Sequence, residues 1–316
     1  MGHPQLRFLI QRQRGCFPKM SRVHKPHAIF AALALSTFSL SAATTAVAQT
    51  QSAFAAYDET STAIVDTGPY AEIISALSVA ERGRTLVAYD VARAQALPFF
   101  QQYVDYLSAV EVETLNRDEQ LAFWLNTRNI LLVQALAEER RVSGFKRKRG
   151  TPEAPGAFWT EKRITISGTP LSLQEIERDI LFAGWDDPNI IFGLYQAIEG
   201  GPALPRQAFS GIEVTAQLAD AGRRFVSLPR NLRVRGDKVR ISTYFDWYAE
   251  LAYGGDEALM RAHLATLVKP DQKDVVSTDG TLSRRNLSTS FEQYRTRQAG
   301  AGSGASGSNF SRGAGS

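Results

Sequence analysis

One cysteine and four histidines are all that 316 residues offer to soft metals and thiol chemistry. A disulfide framework and a Cys-rich zinc module both need more cysteine than that, so both are excluded. Acid is missing too, but only locally. Residues 1–48 carry Arg7, Arg12, Arg14, Lys19, Arg22 and Lys25 and not one Asp or Glu. The rest is ordinary: 36 Lys+Arg face 32 Asp+Glu, 44% of residues are hydrophobic, and the length suffices for a buried core.

The local absence of acid explains the sequence pI near 9.2. Behind the bases runs an uncharged stretch over residues 28–48, AIFAALALSTFSLSAATTAVA, ending in Ala46-Val47-Ala48. A basic head, an apolar middle and a small-x-small end predict a secretory signal peptide over 1–48, with Met20 as an alternative start. The expectation is an exported protein, periplasmic or secreted, tethered if the signal stays uncleaved. Taking those six bases from the 36 leaves 30 against 32 acids, a formal charge of −2. A near-neutral chain has lost the electrostatic warrant for nucleic-acid binding, so no nucleic-acid partner is expected. Cys16, His3, His24 and His27 leave with the same segment, and His263 stays as the single histidine.

At the other end, residues 298–316 form a Gly/Ser/Ala run that cannot bury apolar surface and reads as a flexible tail. One domain over 53–297 remains. Short helices are expected over Tyr70–Leu77 and Leu97–Val110, and a strand within Thr85–Arg93. Asn116, with Glu119 three residues on, predicts an N-cap opening a long helix from about Arg117 to Arg140. Its apolar residues fall nearly all round, as in a helix buried at the centre. Arg163–Leu171 reads as a hairpin, Ser172-Leu-Gln-Glu175 as a capping box, and Leu232–Ser242 as a second hairpin. Asn189–Ile198 reads equally as strand or buried helix. Helices follow over Glu213–Ser227, Thr243–Leu251 and Asp256–Val268. Helical runs with isolated hairpins, without regular β-α-β alternation, predict an α+β class.

Four segments in order resemble a known family. Phe123-Trp124-Leu125-Asn126-Thr127-Arg128-Asn129 looks like its "AFW-[IL]-N-x-x-N" helix, and Leu171–Glu177 is similar to "L-[ST]-L-x-x-I-E". Asp187-Pro188 opens the segment where members read "DPRIH-x-A-x-N-C-A-x-x-x-C-P". Val239–Tyr248 looks like "V-x-x-S-x-I-F-x-W-[FY]". The family is domain of unknown function 547, and the resemblance runs from about Leu86 to Val268. It implies a papain- or transglutaminase-like arrangement. The departures fall on chemistry: Ile191 replaces the family's histidine, and Gln196 and Gly201 stand at its two cysteines. Chemistry that depends on a thiol is excluded for the mature chain.

The remaining polar residues carry two readings each. Asn126 and Asn129 share one face of the long helix, either clamping the backbone of the 195–205 segment or flooring a ligand pocket. Glu175 is explained by its capping box, whereas Glu177 points inward, as a structural ion pair or as a catalytic acid. Gly200-Gly201 is a plain turn or a cradle of backbone amides for a ligand. Asp246 and Trp247 sit among aromatics as core or as a binding wall. His263 is expected at the surface, and no metal site or cofactor is expected. Lys146, Arg147, Lys148 and Arg149 form a compact basic cluster suited to weak contact with an anionic envelope surface. Two functions follow. The first is an exported module binding an unknown small molecule or protein through Asn126, Asn129, Gly200, Gly201 and Trp247. The second is a hydrolase or transferase working through Glu177, Asp246, Tyr195 and backbone amides.

Overall fold

The computed structural model describes residues 53–81, 84–139, 149, 155–278 and 280–294. The signal-like segment, the bases at 146–148 and the Gly/Ser-rich tail lie outside these residues. Helices dominate, and the strands form three small separate sheets, as the α+β expectation requires.

The long helix organises everything else. Here it is α4, after α1 (Gly68–Leu77), α2 (Tyr89–Gln95) and α3 (Leu97–Ser108), and it spans Arg117–Glu138. The Asn116 side chain caps it, accepting from the Glu119 amide at 2.9 Å. Every residue from Glu119 to Val133 is buried, so no face of the helix middle meets water. Helices α2 and α3 pack against it, and the helices over residues 173–184 and 214–226 cover its other sides. Trp124 is fully buried, with Phe54 and Phe123 edge-on to its ring at 4.9 and 5.0 Å. Each such aromatic removes some 150–250 Å² of mostly apolar surface from water, which makes this helix the energetic centre of the core.

After α4 comes the hairpin β3 (Lys162–Ile166) and β4 (Thr169–Ser172). Its two-residue turn holds both Ser167 and Gly168 at positive φ, the geometry that matches strand twist. Ser172 and Glu175 then cap each other reciprocally and open α5. This helix starts over Leu173–Glu175, widens to π geometry over Ile176–Leu181 and closes over Phe182–Gly184. A single turn, α6 (Ile190–Gly193), and the amphipathic α7 (Val214–Val226) follow.

The last part holds a three-stranded sheet. Strands β5 (Leu232–Arg235) and β6 (Lys238–Ser242) form an antiparallel hairpin. Between β6 and β7 lie α8 (Tyr244–Trp247), α9 (Ala249–Tyr253), α10 (Glu257–Leu267) and α11 (Lys273–Ser277). Strand β7 (Thr281–Arg285) pairs parallel to β6.

Three expectations need correction. The strand placed within Thr85–Arg93 stops at Val87, where it pairs with Ser78 in the hairpin β1 (Ser78–Glu81) and β2 (Arg84–Val87), and Tyr89 begins α2. Val87 and Tyr89 alternate because two consecutive elements each bury one residue in the same core. The apolar run Asn189–Ile198 is neither a strand nor a full helix. It is one turn followed by extended chain, all of it buried from Ile190 to Ile198. The helix expected over Thr243–Leu251 is broken at Tyr248, whose φ of −117° and ψ of 11° separate α8 from α9.

Candidate functional site

Three chemistry-bearing side chains, Asn126, Arg128 and Asn129, project within about one turn from the middle of α4. Asn126 makes a two-point clamp on Phe209: its amide nitrogen donates to the Phe209 carbonyl at 2.8 Å, and its oxygen accepts from the Phe209 amide at 2.9 Å. Asn129 does the same one segment earlier, donating to the Gly193 carbonyl at 2.8 Å and accepting from the Tyr195 amide at 3.1 Å. Both side-chain amides are therefore engaged with irregular backbone, which has no sheet or helix partners of its own. Asn129 holds the edge of the 195–205 segment, and Asn126 holds Phe209, just beyond it.

Arg128 lies between them and is fully buried. Its Nε donates to Glu177 Oε1 at 2.7 Å, an Nη also reaches that oxygen, and the other Nη donates to the Tyr195 carbonyl and to Asn129 Oδ1. The guanidinium also stands 5.3 Å from the Trp159 ring centre. Glu177 reaches it from the π-widened stretch of α5, while Glu175, two residues back, faces Lys162 and the Ser172 cap. The second oxygen of Glu177 accepts from the Tyr248 hydroxyl at 3.4 Å, and Gln196 Nε2 donates to that same hydroxyl at 2.5 Å. Burial, followed by the nearby Glu177 carboxylate, pushes the Tyr248 hydroxyl well above its usual pKa, so it stays protonated as a donor. The result is a continuous chain, Arg128–Glu177–Tyr248–Gln196, ending at the residue that stands where the resemblance places a cysteine.

A second network fixes the loop after it. Ala197 sits at a positive φ of 54°, and its carbonyl accepts from the Glu292 amide at 2.9 Å. Arg84 pairs with Glu292 and donates to the carbonyls of Ile198 and Gly201, each at 3.2 Å. Burial raises the Glu292 carboxyl, and Arg84 opposes that rise. The Gly200 amide donates to the Ser288 carbonyl at 3.0 Å and the Gly201 amide to Ile198 at 3.0 Å. A Cβ on Gly200 would stand 2.2 Å from Leu287 Cδ1 and 2.8 Å from the Ser288 carbonyl oxygen. The glycine thus admits the close passage of the 287–292 segment, and neither amide points into open space.

The side chains of the other predicted residues stand apart from these networks. The Tyr195 hydroxyl shares a 3.2 Å hydrogen bond with Tyr89 and is driven well above its ordinary pKa by burial. Asp246 is exposed and pairs at 2.7 Å with Arg284, which also reaches Glu257 at 3.2 Å. Trp247 is half-buried, its ring 6.2 Å from Tyr244 and 5.4 Å from the Arg149 guanidinium. His263 corrects the surface expectation: it is half-buried, with Nδ1 3.0 Å from the Tyr253 hydroxyl and Nε2 3.0 Å from Asn189 Oδ1. Desolvation lowers its pKa to about 4. Among the described residues no cluster of three His, Cys, Asp or Glu could hold a metal ion.

Sequence reasoning missed Tyr248, Gln196, Arg84 and Glu292 as members of these networks. Arg84 and Glu292 are 208 residues apart, and no local periodicity links them. Tyr248 stands in the aromatic run Phe245-Asp246-Trp247-Tyr248, and residue type alone does not show which of its rings reaches Glu177.

With this geometry in place, comparison with known proteins is informative. Residues 112–226 match the family described as Protein of unknown function, DUF547. No curated protein and no solved structure matches the chain. The DUF547 match contains α4, the β3–β4 hairpin, α5 and the 187–202 segment, so three of the four resembling motifs lie within it. The fourth, Val239–Tyr248, falls beyond its end. Asn126, Arg128, Asn129, Glu177 and Gln196 are inside the DUF547 segment; Tyr248, Arg84 and Glu292, which complete the networks, come from outside it. No helix among the described residues is long and apolar enough to cross a membrane.

Proposed function

We propose that this chain is an exported DUF547-like module that binds a ligand or partner without thiol catalysis. The observation that carries this reading is the Gln196 position. Where the resemblance places a cysteine, an amide donates to Tyr248, which is tied through Glu177 to the buried Arg128. Ile191, at the position of the family's histidine, is fully buried and offers no base. The hydrolase or transferase reading needed free carboxylates beside open backbone amides. Glu177 and Asp246 are each ion-paired, and the amides of Gly200 and Gly201 are both hydrogen-bonded within the protein.

A binding role has its own support at the start of α4. The two oxygens of Glu119 accept from the Val65 and Gly211 amides, each at 2.9 Å, so the chain segments that carry Ile64 and Ile212 are joined at one carboxylate. Those two residues are 70% and 91% exposed. Exposed large aliphatic side chains on two segments joined in this way suit a protein partner better than a small polar ligand.

Substituting Gln196→Cys tests the central part. The new thiol is expected to behave as an inert buried cysteine, alkylated by iodoacetamide only as fast as the protein opens. Rapid alkylation of the folded protein near pH 6, the mark of an activated thiolate, would show that a catalytic frame persists.

A further inference from the structure

The outer face of the three-stranded sheet is basic to an extent the whole-chain charge conceals. Register assigns the faces. Arg233 is opposite Arg240 and Arg235 is opposite Lys238 across β5–β6, while Arg240 faces Ser283 and Ser242 faces Arg285 across β6–β7. Alternation then puts Arg233, Arg235, Lys238, Arg240 and Arg285 on one face, all exposed. The inner face carries Leu232, Val239 and Ile241 in the core. Arg230, just before β5, adds a sixth cation close enough to Arg285 and Arg84 for their repulsion to lower its pKa alongside burial.

Two features say that this face is held for a partner. Like charges directly opposite on neighbouring strands repel at Cβ separations of about 5 Å, and this hairpin has two such pairs in succession. Among the described residues, Arg233, Arg235, Lys238 and Arg240 enter no ion pair that would relieve them. The acids at hand sit at the edges: Asp237 in the β5–β6 turn, and Glu199 and Glu292 beside Arg230. The face is otherwise Ser242, Thr281 and Ser283, with no aromatic ring on which a nucleic-acid base could stack.

We infer that this sheet face docks on an anionic lipid surface, its bases lying against phosphate headgroups as a flat array. The face lies outside the matched 112–226 segment. The envelope setting rests on the export proposed above; the lipid contact itself does not. Recovery of the protein in the cytoplasmic fraction after cell fractionation would overturn export and leave this inference standing.

The test is co-sedimentation of the full chain with phosphatidylglycerol-containing vesicles and with neutral phosphatidylcholine vesicles. Binding to the anionic vesicles alone is expected, weakening steeply with salt. Each basic residue near such a surface contributes about 1 kcal/mol, so Arg233→Ser with Arg240→Ser should weaken binding about 30-fold. The same loss is expected for Arg235→Ser with Lys238→Ser. Because each pair removes a cross-strand repulsion, melting temperatures should hold or rise, which separates lost contact from lost folding. Absence of binding to anionic vesicles, or binding unchanged in both double variants, would overturn the inference. So would tighter binding to a duplex oligonucleotide than to the vesicles, which would reassign the face to nucleic acid.

Discussion

His263 shows how much one buried ring can govern. Asn189 Oδ1 can only accept, so His263 Nε2 carries the proton and Nδ1 accepts from the Tyr253 hydroxyl. Desolvation by Phe192 and Tyr253 outweighs the attraction of Asp187 and brings the pKa from 6.5 to about 4. A group whose folded pKa is depressed is protonated first in the unfolded chain, so stability falls as pH drops from about 6.5 towards 4. The loss should be on the order of 2 kcal/mol, given that solvent reaches part of the ring. Chemical denaturation across that range is expected to show it in the parent, and a flatter profile in His263→Gln. A parent profile no steeper than the variant's would refute the assignment. Histidine is legible in a sequence as a type, but its environment is not. The helical position next to Arg261 and Thr266 suggested a surface, and only tertiary packing brought Asn189 to it.

At the scale of elements, local signals served well where local physics decides. The Asn116 cap, the Ser172–Glu175 capping box and the two hairpin turns are set by side chains within a few residues of one another, and each stands where the sequence put it. The all-round apolar middle of α4 likewise announced a buried helix. What escaped was long-range pairing. Strand β7 runs parallel to β6 after four intervening helices, and its TLSRR segment has no clean alternation to betray it. The 189–198 run is buried on every side, so neither period could appear in it. Its conformation is imposed by Asn129 and by the Arg84 network rather than by propensity. Asn126 illustrates the same imposition. Asn126→Ala would strand the amide and carbonyl of Phe209 in the interior, costing about 2–4 kcal/mol. Hydrogen exchange should then quicken sharply at the Phe209 amide while the N-terminus of α4 changes little. Uniform exchange behaviour across both regions would contradict a clamp.

Viewed as a whole, the molecule separates its charge from its core polarity. Its basic pI belongs in part to residues 1–48, yet the folded part is not evenly neutral: five exposed bases crowd one sheet face. The basic cluster expected to meet an anionic surface was Lys146–Arg149, where only Arg149 is described, standing 5.4 Å from the Trp247 ring. The sheet face was hidden in sequence because its bases come from three strands and alternate with core residues. Inside, Asn126, Arg128 and Asn129 of the matched segment grip irregular backbone. Breaking a buried ion pair by removing one partner costs about 3–5 kcal/mol, because the other charge is left without compensation. The unfolding free energy of Glu177→Gln therefore tests the account most directly. If Glu177 is structural, the variant should lose about 3 kcal/mol, with Arg128 left as an unpaired buried cation. Stability equal to or above that of the parent, as expected of a reactive group held at the fold's expense, would contradict it.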